Sequence, residues 1–142
     1  MTHVDFHFNT PDKLDYACRL VRKIFNSGRR IVVWSGDSTT LEQFDERLWH
    51  FSATDFIPHV ACDDPLAPVT PVLLASADAQ PAHHDVMVNL GSGTPPLFGR
   101  FDRLVELVGT DEADRVAARE RWRFYRDRGY PMTTHDLSDA RR

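Results

Sequence analysis

The sequence predicts an α/β fold: a single three-layer domain with a mostly parallel sheet of about five strands between helices. Three observations carry this reading. Val4-Asp5-Phe6-His7-Phe8 alternates apolar and polar residues as a half-buried strand does. Arg30-Ile31-Val32-Val33-Trp34 is a β-branched run with no polar face, the pattern of a strand covered on both sides. Between and after these strands the apolar spacing switches to the helical period, and βαβα alternation is the signature of parallel strands with helical crossovers, as in Rossmann-like folds.

The elements follow in order. Asn9 or Thr10 can cap a first helix with Pro11 in its opening turn, and Leu14, Ala17, Cys18, Val21, Ile24 and Phe25 give it one apolar face. Gly28 ends it. Asp37 or Ser38 caps a second helix whose inner face is Leu41, Phe44 and Leu48. Short strands are expected at residues 55–58, 72–75 and 85–90, with Pro65, Pro68, Pro71 and Pro81 marking surface loops between them. Phe98, Phe101, Leu104, Val105 and Val108 fit a helical period, and after Gly109 another helix spans residues 111–128. Gly129 and Pro131 stop it. Residues 1–132 are thus expected to form one domain, and 133–142 a mobile tail without a core to join.

Composition narrows the function classes. The chain has 142 residues, enough for one domain that buries roughly 68–70% of its unfolded surface. Apolar runs are too short to span a bilayer, and the first residues lack the layout of a signal peptide, so a cytoplasmic protein with no membrane partner is expected. Two cysteines, Cys18 and Cys62, fit a reducing compartment rather than a disulfide framework. The net charge is −4, yet residues 115–128 alone carry +4, leaving −8 on the remainder. Such a distribution suits one small acidic ligand better than a broad duplex surface.

Familiar chemical motifs do not assemble. The turn Trp34-Ser35-Gly36-Asp37-Ser38-Thr39-Thr40 lacks the P-loop lysine and the dinucleotide glycine pattern, and reads as a capped helix start. Gly91-Ser92-Gly93-Thr94-Pro95-Pro96 reads as a turn after a strand. His59 with Cys62, and the adjacent His83 and His84, complete no metal-ligand set. There is no nucleophile elbow, and acid pairs such as Asp63-Asp64 read as solvated loop charges. No cofactor, metal or catalytic residue is expected.

Two segments stand out. On the last helix, Arg115, Arg119, Trp122, Arg123 and Arg126 fall within a sector of about 100°, with Ala113, Ala117 and Phe124 on the opposite side toward the sheet. Arginine offers fork-shaped, weakly hydrated donors for carboxylates, and an indole among them adds apolar surface. A solvated helix face with internal ion pairs is the competing explanation. In residues 41–59, Trp49, Phe51 and Phe56 are either core or an exposed apolar patch.

At these segments the sequence resembles the chi subunit family of the bacterial DNA polymerase III holoenzyme. The pieces that carry the resemblance are GRRIVVWSGD, FDERLW, TDFIPH, DVMVNL and the ending AARERWRFYRDRGYPMTTHDL, in order along most of the chain. The resemblance implies a non-catalytic adaptor of the clamp-loader assembly, touching DNA only indirectly. It binds the acidic, phenylalanine-terminated tail of single-stranded DNA-binding protein, and through a second surface the psi subunit or a repair helicase. It further implies that Arg119 serves the tail, with apolar contact from Val108 and neighbours Arg115, Trp122 and Arg123. Partner docking falls on Trp49 and Phe56. Arginine here replaces the lysine common on the family's last helix. A direct single-stranded nucleic-acid-binding module is the alternative, since arginines beside Trp122 and Tyr125 can stack and neutralise a strand.

Overall fold

A computed structural model describes residues 1–51, 56–77 and 79–138. Its strands are β1 (His3–Thr10), β2 (Ile31–Ser35), β3 (His59–Ala61), β4 (Val72–Ser76), β5 (Val86–Asn89), β6 (Arg103–Gly109) and β7 (Met132–Asp136), and its α-helices are α1 (Lys13–Asn26), α2 (Ser38–Phe51) and α3 (Glu112–Asp127). The strands form one sheet in the order β3-β4-β2-β5-β6-β1-β7, and every pairing is parallel. The α/β three-layer expectation holds, with seven strands in place of five.

Two apolar clusters lie on opposite faces of this sheet. Ala17, Cys18 and Val21 of α1 and Leu41, Phe44 and Leu48 of α2 pack on Ile31, Val33, Val88 and Val105. Ala118 and Tyr125 of α3 pack on the other face with Val4, Phe6, Leu104 and Val108, joined by Phe98 and Phe101. Each fully buried large side chain contributes about 1.5–3 kcal/mol relative to exposure, so both layers are held by burial. Cys18 belongs to this core: burial pushes its thiol up to about 12, and that of Cys62 up to about 11.

The helix ends follow local chemistry. Asp12, rather than Asn9 or Thr10, caps α1 by accepting from the Asp15 amide at 3.2 Å, because Asn9 and Thr10 are still part of β1. Asp37 caps α2, accepting from the Thr39 amide at 3.0 Å. Gly28 and Gly129, at φ of +88° and +78°, follow α1 and α3 in the left-handed region. There the amides of Gly129 and Tyr130 bond back to the carbonyls of Arg126 and Tyr125, closing a Schellman motif.

Three further expectations fail. Residues 103–109 are strand β6, not helix; Leu104 to Val108 are all buried, and a short apolar run covered on both faces cannot be told from a helix by period alone. The strand expected at 55–58 lies at 59–61 instead, residues 56–58 being irregular and Asp55 outside the described residues. Residues 133–136, expected in a mobile tail, belong to β7, which pairs with β1 from Val4↔Met132 to Phe8↔Asp136. Residues 139–142 lie outside the described residues.

Polar side chains tie β7 to its neighbour. Asp5 of β1 accepts hydrogen bonds from Thr133 of β7 and Arg103 of β6. Burial disfavours its charge, but these two donors outweigh it and hold the carboxyl below its usual value. His7 shares a 2.6 Å hydrogen bond with Tyr16 of α1 and faces the His135 ring at 4.7 Å. Burial, and then the charge of His135, lower His7 to about 4. In the unfolded chain the same imidazole protonates near 6.5, so between pH 6.5 and 4 the unfolded state binds more protons and stability declines as pH falls. Urea unfolding from neutral pH to pH 4 should show this decline, and His7→Gln should remove most of its slope in that window; an unchanged slope would show that His7 does not set it.

Candidate functional site

The site begins with a carboxylate that the sequence pattern hides. Glu106 sits in the middle of β6, fully buried, with its side chain on the α3 face. Its Oε1 accepts from Arg121 Nε at 3.0 Å and Asn89 Nδ2 at 2.9 Å, and its Oε2 from the Tyr125 hydroxyl at 2.5 Å. Full burial raises the carboxyl above its usual range, while the Arg121 charge and these donors pull it back. Burial and the Glu106 charge push the Tyr125 phenol upward, so it stays protonated and donates. Arg121 Nη1 also donates to the Ser92 carbonyl at 2.6 Å, and Asn89 to the Gly93 carbonyl at 2.9 Å. The Gly-Ser-Gly turn is thereby pinned beneath α3.

This network sets the rotation of α3. The packed residues are Ala118, Arg121 and Tyr125, one position on from the face expected at Ala117 and Phe124, and Ala113 is exposed. The shift has a cause: a buried Glu106 draws Arg121 and Tyr125 inward, and an aromatic side chain that can donate outcompetes Phe124 for the inner place.

With α3 so turned, a groove of about 330 Å³ opens between its first half and the sheet. Phe6, Phe8, Val108 and Thr134 form the sheet side, and Arg115, Ala118, Arg119 and Trp122 the helix side. Trp122 stands edge-on to Phe6, centroids 5.4 Å apart. Four of the five residues expected for ligand binding therefore meet here, namely Val108, Arg115, Arg119 and Trp122. Arg123 is exposed farther round the helix and does not line the groove. Phe6, Phe8 and Thr134 were not foreseen as site residues; the two phenylalanines share the inward parity of β1, which the sequence does display.

The helical arginines divide by partner. Arg121 serves Glu106, Arg126 lies 3.2 Å from Asp127, and Arg128 stacks on Phe124 at 3.7 Å. Arg119 lies 3.7 Å from Glu112 with both side chains more than half exposed, a pair worth little. Arg115 and Arg123 have no ion-pair partner among the described residues. Positive charge is thus uncommitted at the groove mouth, beside an apolar floor.

The second segment is also exposed. Trp49 and Phe56 are 54% and 64% accessible, with ring centroids 5.4 Å apart, which excludes the core reading for both. Trp49 rests on His59 at 4.6 Å, and His59 lies 2.8 Å from Asp45. Phe51 is half-buried against the core. His59 is thus held by its protein neighbours, and no group of three His, Cys, Asp or Glu suited to a metal occurs among the described residues. No helix among them is long and apolar enough to cross a membrane.

Fold and groove together define an α/β domain with a cationic, apolar-floored cleft beneath its last helix. Residues 1–133 match the family model for the DNA polymerase III chi subunit, HolC, and the chain belongs to that family. It is 35% identical to the DNA polymerase III subunit chi of Pseudomonas aeruginosa over 141 residues, covering 96% of this chain and 98% of that one. It is 25% identical to the subunit of the same name from Haemophilus influenzae, covering 87% and 86%, and 25% identical to that of Escherichia coli, covering 83% and 81%.

Breaking the buried network should be costly. Arg121→Met leaves the buried Glu106 carboxyl without its cation and should lose about 3–5 kcal/mol, whereas Tyr125→Phe should lose about 1–2 kcal/mol. In urea unfolding, Glu106→Leu combined with Arg121→Met should be less destabilising than the sum of the single changes. Simple additivity would show that the two residues do not act as a pair.

Proposed function

We propose that this chain is a non-catalytic accessory subunit that links the clamp-loader assembly of the replicative polymerase to single-stranded DNA-binding protein. The observation that supports this reading best is the groove itself: Arg115 and Arg119 at the mouth of a cleft floored by Phe6, Phe8, Val108 and Trp122. An acidic peptide ending in a phenylalanine offers the complement. Its carboxylates meet guanidinium groups through charge-assisted bonds, and its last ring enters the apolar cleft. Arg123, exposed on the same helix, serves residues upstream of the terminus by long-range attraction.

A few such bonds and one buried ring suit micromolar affinity, about −8 kcal/mol. Several tails on one DNA-bound oligomer then strengthen attachment without new contacts. Contact with DNA is indirect in this reading. The exposed pair Trp49 and Phe56 forms the second docking surface, for the psi subunit or a repair helicase, since paired exposed aromatics are typical interface anchors. Direct single-strand binding is less well supported, because Tyr125, needed as a stacking platform, is fully buried and bonded to Glu106.

Calorimetry tests the reading with a synthetic peptide of aspartates ending in phenylalanine. Binding should weaken with salt, and Arg119→Ala should reduce affinity by about tenfold or more, as expected for a lost hydrogen bond to a charged group. Unchanged affinity would overturn the assignment, as would equally tight binding of a bare oligonucleotide. Trp49→Ala should leave peptide affinity unchanged while abolishing retention of the psi subunit or helicase on the immobilised protein. Retention of both would remove Trp49 from the second surface.

A further inference from the structure

The sheet has two edges, and they are unequal. At one end β3 is only three residues long, too short to template another strand. At the other, β7 is a five-residue strand, Met-Thr-Thr-His-Asp, with four of its five residues exposed and no lysine, arginine or proline to blunt it.

The parity of its hydrogen bonds can be worked out. The Val4 amide donates to the Pro131 carbonyl, and the Leu137 amide donates to the Phe8 carbonyl. In a parallel pair, alternate residues of a strand turn both backbone groups to the same neighbour. Residues 131, 133, 135 and 137 therefore face β1, and the N–H and C=O groups of Met132 and Thr134 point outward, away from the sheet. No described residue bonds to those outward groups. Thr134 is also the residue of β7 whose side chain lines the groove. The unpaired edge and the cleft are thus one continuous surface, flanked by Arg115 and Arg119.

We propose that the residues upstream of the acidic peptide's terminus add to this edge as an eighth strand, so that β7 reads the peptide backbone while the groove takes its end. The inference rests on the reading of the groove given above. The occupant is the peptide already argued for that groove, because the two surfaces adjoin at Thr134 and the neighbouring charge is positive. Main-chain pairing contributes affinity with little demand on side-chain identity, and alternate side chains of the added strand fall on the arginine side. Sequence upstream of the terminus is then constrained mainly in charge.

Peptides with N-methyl groups at alternate upstream amides test this, made in both parities, against the full chain. One parity should bind at least about fivefold more weakly than the unmodified peptide, the loss expected from one or two backbone hydrogen bonds, and the other parity should bind nearly as well. In amide exchange by NMR, the Met132 and Thr134 amides should exchange freely without peptide and become protected with it. If both parities bind like the parent while Arg119→Ala weakens all three, the added strand is wrong and the groove assignment stands. If Arg119→Ala weakens none, the groove assignment itself fails. Protection of those amides without peptide, rising with protein concentration, would assign the edge to a second copy of the chain and overturn the proposal.

Discussion

The placement of α3 depends on one buried ion pair. Taking a carboxylate and a guanidinium out of water costs several kcal/mol for each ion, and only close geometry with further hydrogen bonds recovers that cost. Glu106 has both: Arg121 within 3.0 Å, and donors from Tyr125 and Asn89 on the remaining lone pairs. Apolar packing alone would accept several rotations of a helix bearing Ala117, Ala118, Phe124 and Tyr125. A charge in the middle of the sheet accepts one. The same pair reaches the Ser92 carbonyl, so helix, central strand and the turn after β5 are locked together.

Fixing the rotation sorts the arginines. Arg121 is consumed inside, Arg126 and Arg128 find partners near the helix end, and Arg115, Arg119 and Arg123 stay on the solvent side. A helix bearing five arginines, with a sixth just past its end, thus presents only a few usable charges, and two of them border an apolar cleft. Specific recognition of a small acidic group needs this separation of structural from available charge, because a uniformly basic surface attracts any polyanion.

Much of the fold was legible, and each exception has its own physical cause. β1, β2, α1, α2 and α3 announced themselves by alternation, by a β-branched run or by helical spacing with caps. β6 did not, because Glu106 imitates the polar face of an amphipathic helix while being fully buried. β7 was missed because four of its five side chains are exposed; its place is fixed by backbone pairing to β1 and by Asp5, neither of which periodicity records. In the site, the arginines and Trp122 were visible as a stripe, but the floor was not. Phe6 and Phe8 precede the helix by more than a hundred residues, and only strand order makes them its neighbours.

That strand order has a consequence for synthesis. β1 lies between β6 and β7, so it has no sheet neighbour until synthesis has passed from Thr10 to Arg103 and beyond. The cleft draws its walls from β1, β6, α3 and β7, so a product that stops before β6 cannot form it. Only a chain that extends through β7 can offer both surfaces at once.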